Sequence, residues 1–197
     1  MTHFTNRLVR LALLLATASA SVAAADGGTV TGTVEATPSK YLEETVVYLK
    51  GPKGTAKPQV RIMDQRNMSF VPHVLAVTVG DSVKFQNHDG VVHNVYSPDN
   101  EGFNLGSFKH DEERSYTFSQ EGSYSQLCSM HPEMLAYIFV APTPYAAAVD
   151  KKGHFTIANV PPGTWQVAIW NSRLKGAEKS ITVAAGQTVT LSLSVKR

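Results

Sequence analysis

One cysteine, Cys128, is the whole thiol content of this 197-residue chain. No disulfide can form within it, and a disulfide scaffold or an all-thiolate zinc site is excluded. Charge is sparse, at 17% Asp, Glu, Lys and Arg. No dense basic run interleaved with aromatics occurs, which removes the usual footprint of nucleic-acid binding. The seven histidines include no His-x-His pair, so a polynuclear metal cluster built on such pairs is not expected. No amphipathic stretch is long enough for a substantial helix. The apolar run Leu11–Ala20 is too short to span a bilayer.

That run instead fits a secretory signal over residues 1–25. Arg7 and Arg10 give the positive start, and Ala23-Ala24-Ala25 gives a small-residue cleavage site before Asp26. Export to the periplasm or medium, with no transmembrane anchor and no lipidated cysteine, is the expectation. A lone thiol in an oxidising compartment is an oxidation liability unless a metal protects it. Loss of the two arginines balances the rest at 16 basic and 16 acidic residues, but the charges are unevenly placed. Residues 57–142 carry 6 basic and 10 acidic residues, whereas 143–197 carry 7 and 2. Such a dipole can steer a charged partner.

The body of the chain is patterned as β-structure. Alternating or β-branched runs predict strands over 29–34, 45–49, 74–79, 82–86, 116–118, 137–140, 154–157, 165–170, 180–183 and 188–195. Turn signals separate them at Gly51-Pro52-Lys53-Gly54, Gly80-Asp81, Asn87-His88-Asp89-Gly90, Lys151-Lys152-Gly153, Pro161-Pro162-Gly163 and Ala185-Gly186. A short helical turn is expected around Asp111–Arg114.

Chemistry concentrates in Cys128-Ser129-Met130-His131-Pro132-Glu133-Met134, with His93 lying 35 residues upstream. One thiolate, two imidazoles and a thioether make the ligand set of a mononuclear type 1 copper site: His93, Cys128, His131 and Met134. A compact loop can deliver three of these ligands, and the distant histidine comes from a neighbouring strand. Zinc is disfavoured by the single thiolate. A nucleophilic cysteine is disfavoured too, because it needs a base brought from elsewhere in space. His73, His88, His110 and His154 are scattered singly and read as ordinary residues.

Val83-Lys84-Phe85-Gln86-Asn87, His93-Asn94-Val95 and Gly122-Ser123-Tyr124-Ser125-Gln126-Leu127-Cys128 resemble the corresponding strands of cupredoxins such as plastocyanin and amicyanin. The two residues between His131 and Met134 match the short amicyanin-type loop. The resemblance covers about residues 60–141 and implies a Greek-key β-sandwich. It also implies that Asn94 ties the His93 strand to the cysteine loop. Gln126 departs from the family, which has an aromatic there.

A second resemblance flanks the first. Val149 to Ile157 and Val160-Pro161-Pro162-Gly163-Thr164-Trp165 resemble carboxypeptidase regulatory-like, transthyretin-like sandwiches, whose opening strands are similar to residues 28–34 and 45–49. An all-β chain with an insertion is the expectation: 26–56 opens the outer sandwich, 57–142 is the cupredoxin, and 143–197 completes the outer sandwich. The other arrangement is three serial units, with 26–56 extending the cupredoxin.

Four fixed ligands favour electron transfer over catalysis, with one copper per chain and no enzymatic activity. By analogy with amicyanin, the redox partner would be a c-type cytochrome or an amine dehydrogenase. Val91, Val92, Pro132 and Leu135 are expected to form an apolar rim at His131. Glu133 could compete as an axial ligand but reads as solvent-exposed. Two other functions stand beside the carrier. Copper delivery or storage would use Met63, Met68 and Met130 as well. A structural or glycan-binding wall protein would hold the copper site incidentally.

Overall fold

A computed structural model describes residues 27–52, 54 and 56–197. The expected signal segment 1–25 lies outside the described residues, as does Lys53 of the turn after residue 50. No helix among the described residues is long and apolar enough to cross a membrane.

The first two strands are β1 (Gly28–Thr37) and β2 (Thr45–Lys50), separated by a 3-10 turn over Ser39–Glu44. The middle of the chain forms β3 (Val60–Arg66), β4 (Ser69–Val71), β5 (Val74–Thr78), β6 (Ser82–Asn87) and β7 (His93–Ser97). It continues through β8 (Phe103–Phe108), β9 (Glu113–Thr117), β10 (Gly122–Leu127) and β11 (Leu135–Ala141). The last part supplies β12 (Ala146–Ala148), β13 (His154–Val160), β14 (Gly163–Asn171), β15 (Lys175–Gly176), β16 (Lys179–Val183) and β17 (Thr188–Lys196).

The first two strands pair with the last six. One sheet has the order β13-β1-β17-β15 and the other β12-β2-β14-β16. β1 runs parallel to β17, from Thr29 opposite Thr188 to Thr37 opposite Lys196, and antiparallel to β13. Alternation in β1 turns Val30 and Val34 inward against Phe155, Ile157, Trp165, Leu191 and Val195. Gly32 occupies the inward position between them because the backbone of β17 comes too close for a side chain. A Cβ there would stand 2.0 Å from the Leu191 carbonyl oxygen. Gly153 closes the turn before β13 at φ +85°, where its amide donates to the Asp150 carbonyl over 2.9 Å.

The intervening strands form two further sheets, β5-β11-β10-β7-β8 and β4-β3-β6-β9. Their shared core contains Met63, Val83, Phe85, Val95, Phe108, Phe118, Tyr124, Cys128, Met134 and Ile138. Glu113–Thr117 pairs along β6, with Glu113 opposite Gln86, so the helical turn expected over Asp111–Arg114 is strand from Glu113 onward. Bonding to β6 decides the local conformation there.

A third, smaller cluster of Val46, Val74, Phe139 and Ala141 joins the two pairs of sheets. Phe139 meets the Tyr48 ring at 4.9 Å and stacks on Trp170 at 5.4 Å, while Tyr137 meets Trp170 edge-on at 5.6 Å. Strand β11 thus has one face in the middle core and sends Tyr137 and Phe139 from the other toward β2 and β14.

Candidate metal centre

Period two in β10 puts Tyr124, Gln126 and Cys128 on one buried face. The strand ends at Leu127, opposite Leu135 of β11, so residues 128–134 form the loop across the end of a strand pair. Its closure is tight, with the Met134 amide donating to the His131 carbonyl over 3.0 Å. His93 begins β7, the other neighbour of β10.

This arrangement brings His93, Cys128 and His131 together, with their donor atoms all within 4.8 Å of one another. His93 Nδ1 is 3.0 Å from His131 Nδ1, and Cys128 Sγ is 4.0 Å and 3.6 Å from those two nitrogens. A first-row divalent ion holds imidazole nitrogen at about 2.0–2.1 Å and thiolate sulfur at about 2.3 Å, taking zinc as the scale. On that scale a shared ion requires N···N below about 4.2 Å and N···S below about 4.4 Å. All three separations satisfy the requirement. Met134 is 1% exposed and packs in the same core as Cys128. Of the four sequence-predicted residues, three converge and the fourth, Met134, is buried in the core that also holds Cys128.

Burial grades the site from back to front. His93 is fully buried and Cys128 is 3% exposed. His131 is half-buried; its chain neighbours Met130, Pro132 and Glu133 are exposed, as are Val91 and Val92 just before His93, and Leu135 is intermediate. Met63, by contrast, is wholly inside the core.

Asn94 fixes the thiol's surroundings. Its backbone amide points at Cys128 Sγ over 3.4 Å, and its side-chain oxygen accepts the Ser129 amide at 3.3 Å. Its Nδ2 donates to Asn104 Oδ1 and to the Gly106 carbonyl, anchoring the side chain from behind. An amide directed at sulfur stabilises a thiolate and orients the ligand. Gln126 shares the Cys128 face; its Nε2 donates to the Tyr124 carbonyl at 3.2 Å, but Oε1 has no protein partner.

One residue of the site was not singled out in the sequence. Asp89, in the Asn87–Gly90 turn, places Oδ2 2.9 Å from His93 Nε2. An ionised carboxylate only accepts, so Nε2 carries the proton and Nδ1 presents its lone pair to His131 and Cys128. Burial raises the Asp89 carboxyl, but bonds from the Met68 amide, His93 and the Asn67 amide outweigh it and hold the group below its ordinary range. The signal in the sequence was an acidic residue four positions before His93.

The other histidines among the described residues do not join the donor group. His88 contacts Asp64 at 2.7 Å, His154 lies 3.5 Å from Asp150, and His73 lies 3.8 Å from Glu44. His110 Nδ1 reaches the Asp89 carbonyl at 3.0 Å.

Residues 57–141 match the family model of copper binding proteins, plastocyanin/azurin family. Residues 142–191 match that of polysaccharide lyase family 4, domain II, an fn3-like domain. The second match leaves out β1 and β2, which complete that sandwich in space. Solved structures similar to this chain include a copper-containing nitrite reductase from Thermus scotoductus. It is 27% identical over 48% of this chain and 25% of its own, with a TM-score of 0.41. This chain therefore spans about a quarter of the nitrite reductase. A purple cupredoxin from Nitrosopumilus maritimus is 26% identical over 41% of this chain and 99% of its own, with a TM-score of 0.38. A reduced amicyanin variant is 23% identical over 48% and 98% of the two chains, with a TM-score of 0.40. No curated protein matches the chain. By the family match, residues 57–141 are a copper-binding domain of the plastocyanin/azurin type.

Proposed function

We propose that this chain is an exported one-electron carrier whose copper is held by His93, Cys128, His131 and Met134, and that it has no enzymatic activity. The observation that carries the reading is the convergence of one thiol and two imidazoles at the buried end of a rigid β-sandwich. A copper ion with this donor set supplies reversible one-electron chemistry. The protein's part is to hold the donors still. His93 and Cys128 sit at the ends of paired strands, and Asn94 fixes the thiol, so little rearrangement accompanies a change of charge.

His131 is the exit on this reading. It is the least buried of the three donors; Met130 and Pro132 on either side of it in the chain are exposed, as are Val91 and Val92 next to His93. A small apolar face around a half-buried ligand suits a brief encounter with a redox protein, such as a c-type cytochrome or a dehydrogenase. The test is the visible and EPR spectrum of the Cu(II)-loaded chain through a reductive and oxidative cycle. An intense thiolate charge-transfer band that bleaches and returns supports the carrier. Catalytic oxygen consumption with a small molecule would favour an enzyme. Copper that exchanges without cycling would favour delivery or storage.

A further inference from the structure

Asp89 is bound more heavily than a turn residue needs to be. Oδ1 accepts the Asn67 amide at 2.6 Å, while Oδ2 accepts the Met68 amide at 2.9 Å and faces His93 Nε2 at 2.9 Å. Both donor amides belong to the turn between β3 and β4, where Asn67 and Met68 have φ of 51° and 56°. That turn directs two successive N–H groups at one carboxylate. Asp89 is itself fixed from the strand side, since its amide donates to Asn87 Oδ1 at 2.9 Å. Asn87 is in turn locked by bonds to the Val91 and Phe108 carbonyls. The carboxylate is 14% exposed and its histidine partner 0%.

We infer that Asp89 is a positioning residue for the copper ligand His93, setting its tautomer and favouring the oxidised over the reduced ion. The inference rests on the carrier reading above. The physical reason has two parts. A carboxylate that takes the Nε2 proton's hydrogen bond leaves Nδ1 as the lone-pair donor and makes the imidazole more basic. A fixed negative charge behind that ring, shielded from water, also stabilises the more highly charged metal state. Both parts lower the reduction potential. The two bonds to the β3–β4 turn keep the carboxylate from rotating away when the ring moves.

The experiment compares the copper-loaded full chain with Asp89→Asn and Asp89→Glu. Asn has nearly the same shape and keeps an acceptor oxygen, but loses the charge. We expect Asp89→Asn to keep its visible colour while its preference for Cu(II) over Cu(I) falls about tenfold, a rise of about 59 mV for one electron. Asp89→Glu keeps the charge and should lie closer to the unaltered chain. A change below about twofold on Asp89→Asn, or a fall in potential, overturns the inference. A purely structural role would lower melting temperature without moving the potential. Should neither variant fold, nitrogen-15 NMR of the unaltered Cu(I) chain decides. A slowly exchanging proton on His93 Nε2 supports the clamp, and an Nε2 without a proton overturns it. A colourless Cu(II) form of the unaltered chain counts against the carrier reading instead, and the His93 tautomer in the metal-free chain then tests the clamp separately.

Discussion

The two β-sandwiches of this chain hide very different things. The outer one buries an apolar set, from Val30 and Val47 to Trp165 and Val195. Its buried polar residues close corners: Thr143 Oγ1 donates to the Leu49 carbonyl, and Asn171 bonds Tyr41 and Thr45. The cupredoxin buries Asp64, Gln65, Asp81, Asn87, His93, Asn94, Ser97 and Gln126. His93 is one of the donor triad and Asn94 bonds the cysteine loop, while Gln65 and Gln126 each leave a side-chain oxygen without a protein partner. A sandwich that only has to fold can satisfy its polar groups at the edges. One that holds a metal carries polar groups inside, where an unmet one costs about 1–3 kcal/mol.

Breaking the donor set is expected to have the largest effect. Cys128→Ser should abolish the visible charge-transfer band and weaken copper binding, while circular dichroism of the β-fold stays unchanged. A band that persists would show the colour to come from other ligands. The seam between the sandwiches comes next. Phe139 is 6% exposed and packs on Tyr48 and Trp170, so Phe139→Ala should cost about 3–5 kcal/mol in denaturant unfolding. The copper spectrum should hardly move, because Phe139 points away from the donors. A cost under about 1 kcal/mol would mean that the two sandwiches scarcely support each other.

Gln126→Met sharpens the contrast more gently. It keeps the side chain's length and removes the unmet oxygen, so stability should rise by about 1 kcal/mol with the visible band unchanged. A loss of stability would show that the buried amide is satisfied in solution. The smallest effect is that of pH. Glu101 is raised by burial, but bonds from the Tyr124 hydroxyl and from Ser119 outweigh it and bring the carboxyl below its ordinary value of 4.5. Its contribution to stability is therefore present above about pH 4.5 and disappears as the pH falls through the lower folded value. Tyr124 goes the other way: burial and Glu101 raise it above 10.0, so its contribution holds below pH 10 and fades as the pH rises beyond it. Glu101→Gln should flatten the acid limb of the melting curve and leave the neutral plateau nearly unchanged.

Much of this fold could be read from residue patterns. Strands with clean alternation and a turn on either side, such as 29–34, 82–86 and 188–195, appear within a few residues of their expected ends. The strands that escaped are those whose pattern is broken. β3 buries Met63, Asp64 and Gln65 in succession, and β8 contains a glycine at φ +71° with mostly exposed or half-exposed side chains. The 3-10 turn at Ser39–Glu44 has no buried residue to give a period. The meeting of His93, Cys128 and His131 was legible because Cys128 and His131 fall within one short loop and His93 stands at the start of a strand motif. Asp89 was not, because Asn-His-Asp-Gly reads as a turn. Its partners Asn67 and Met68 stand 22 and 21 residues away, across a pairing that only the folded sheet defines.

What His93, Cys128 and His131 hold can be read from one titration. Adding Cu(II) to the full chain while recording visible absorption and EPR should give a single intense thiolate band that saturates at one ion per chain. Stoichiometric reductant should bleach it, and reoxidation should restore it. A colourless Cu(II) complex of the folded chain, or a band that needs more than one ion to develop, would mean that these residues do not form a single thiolate-copper site.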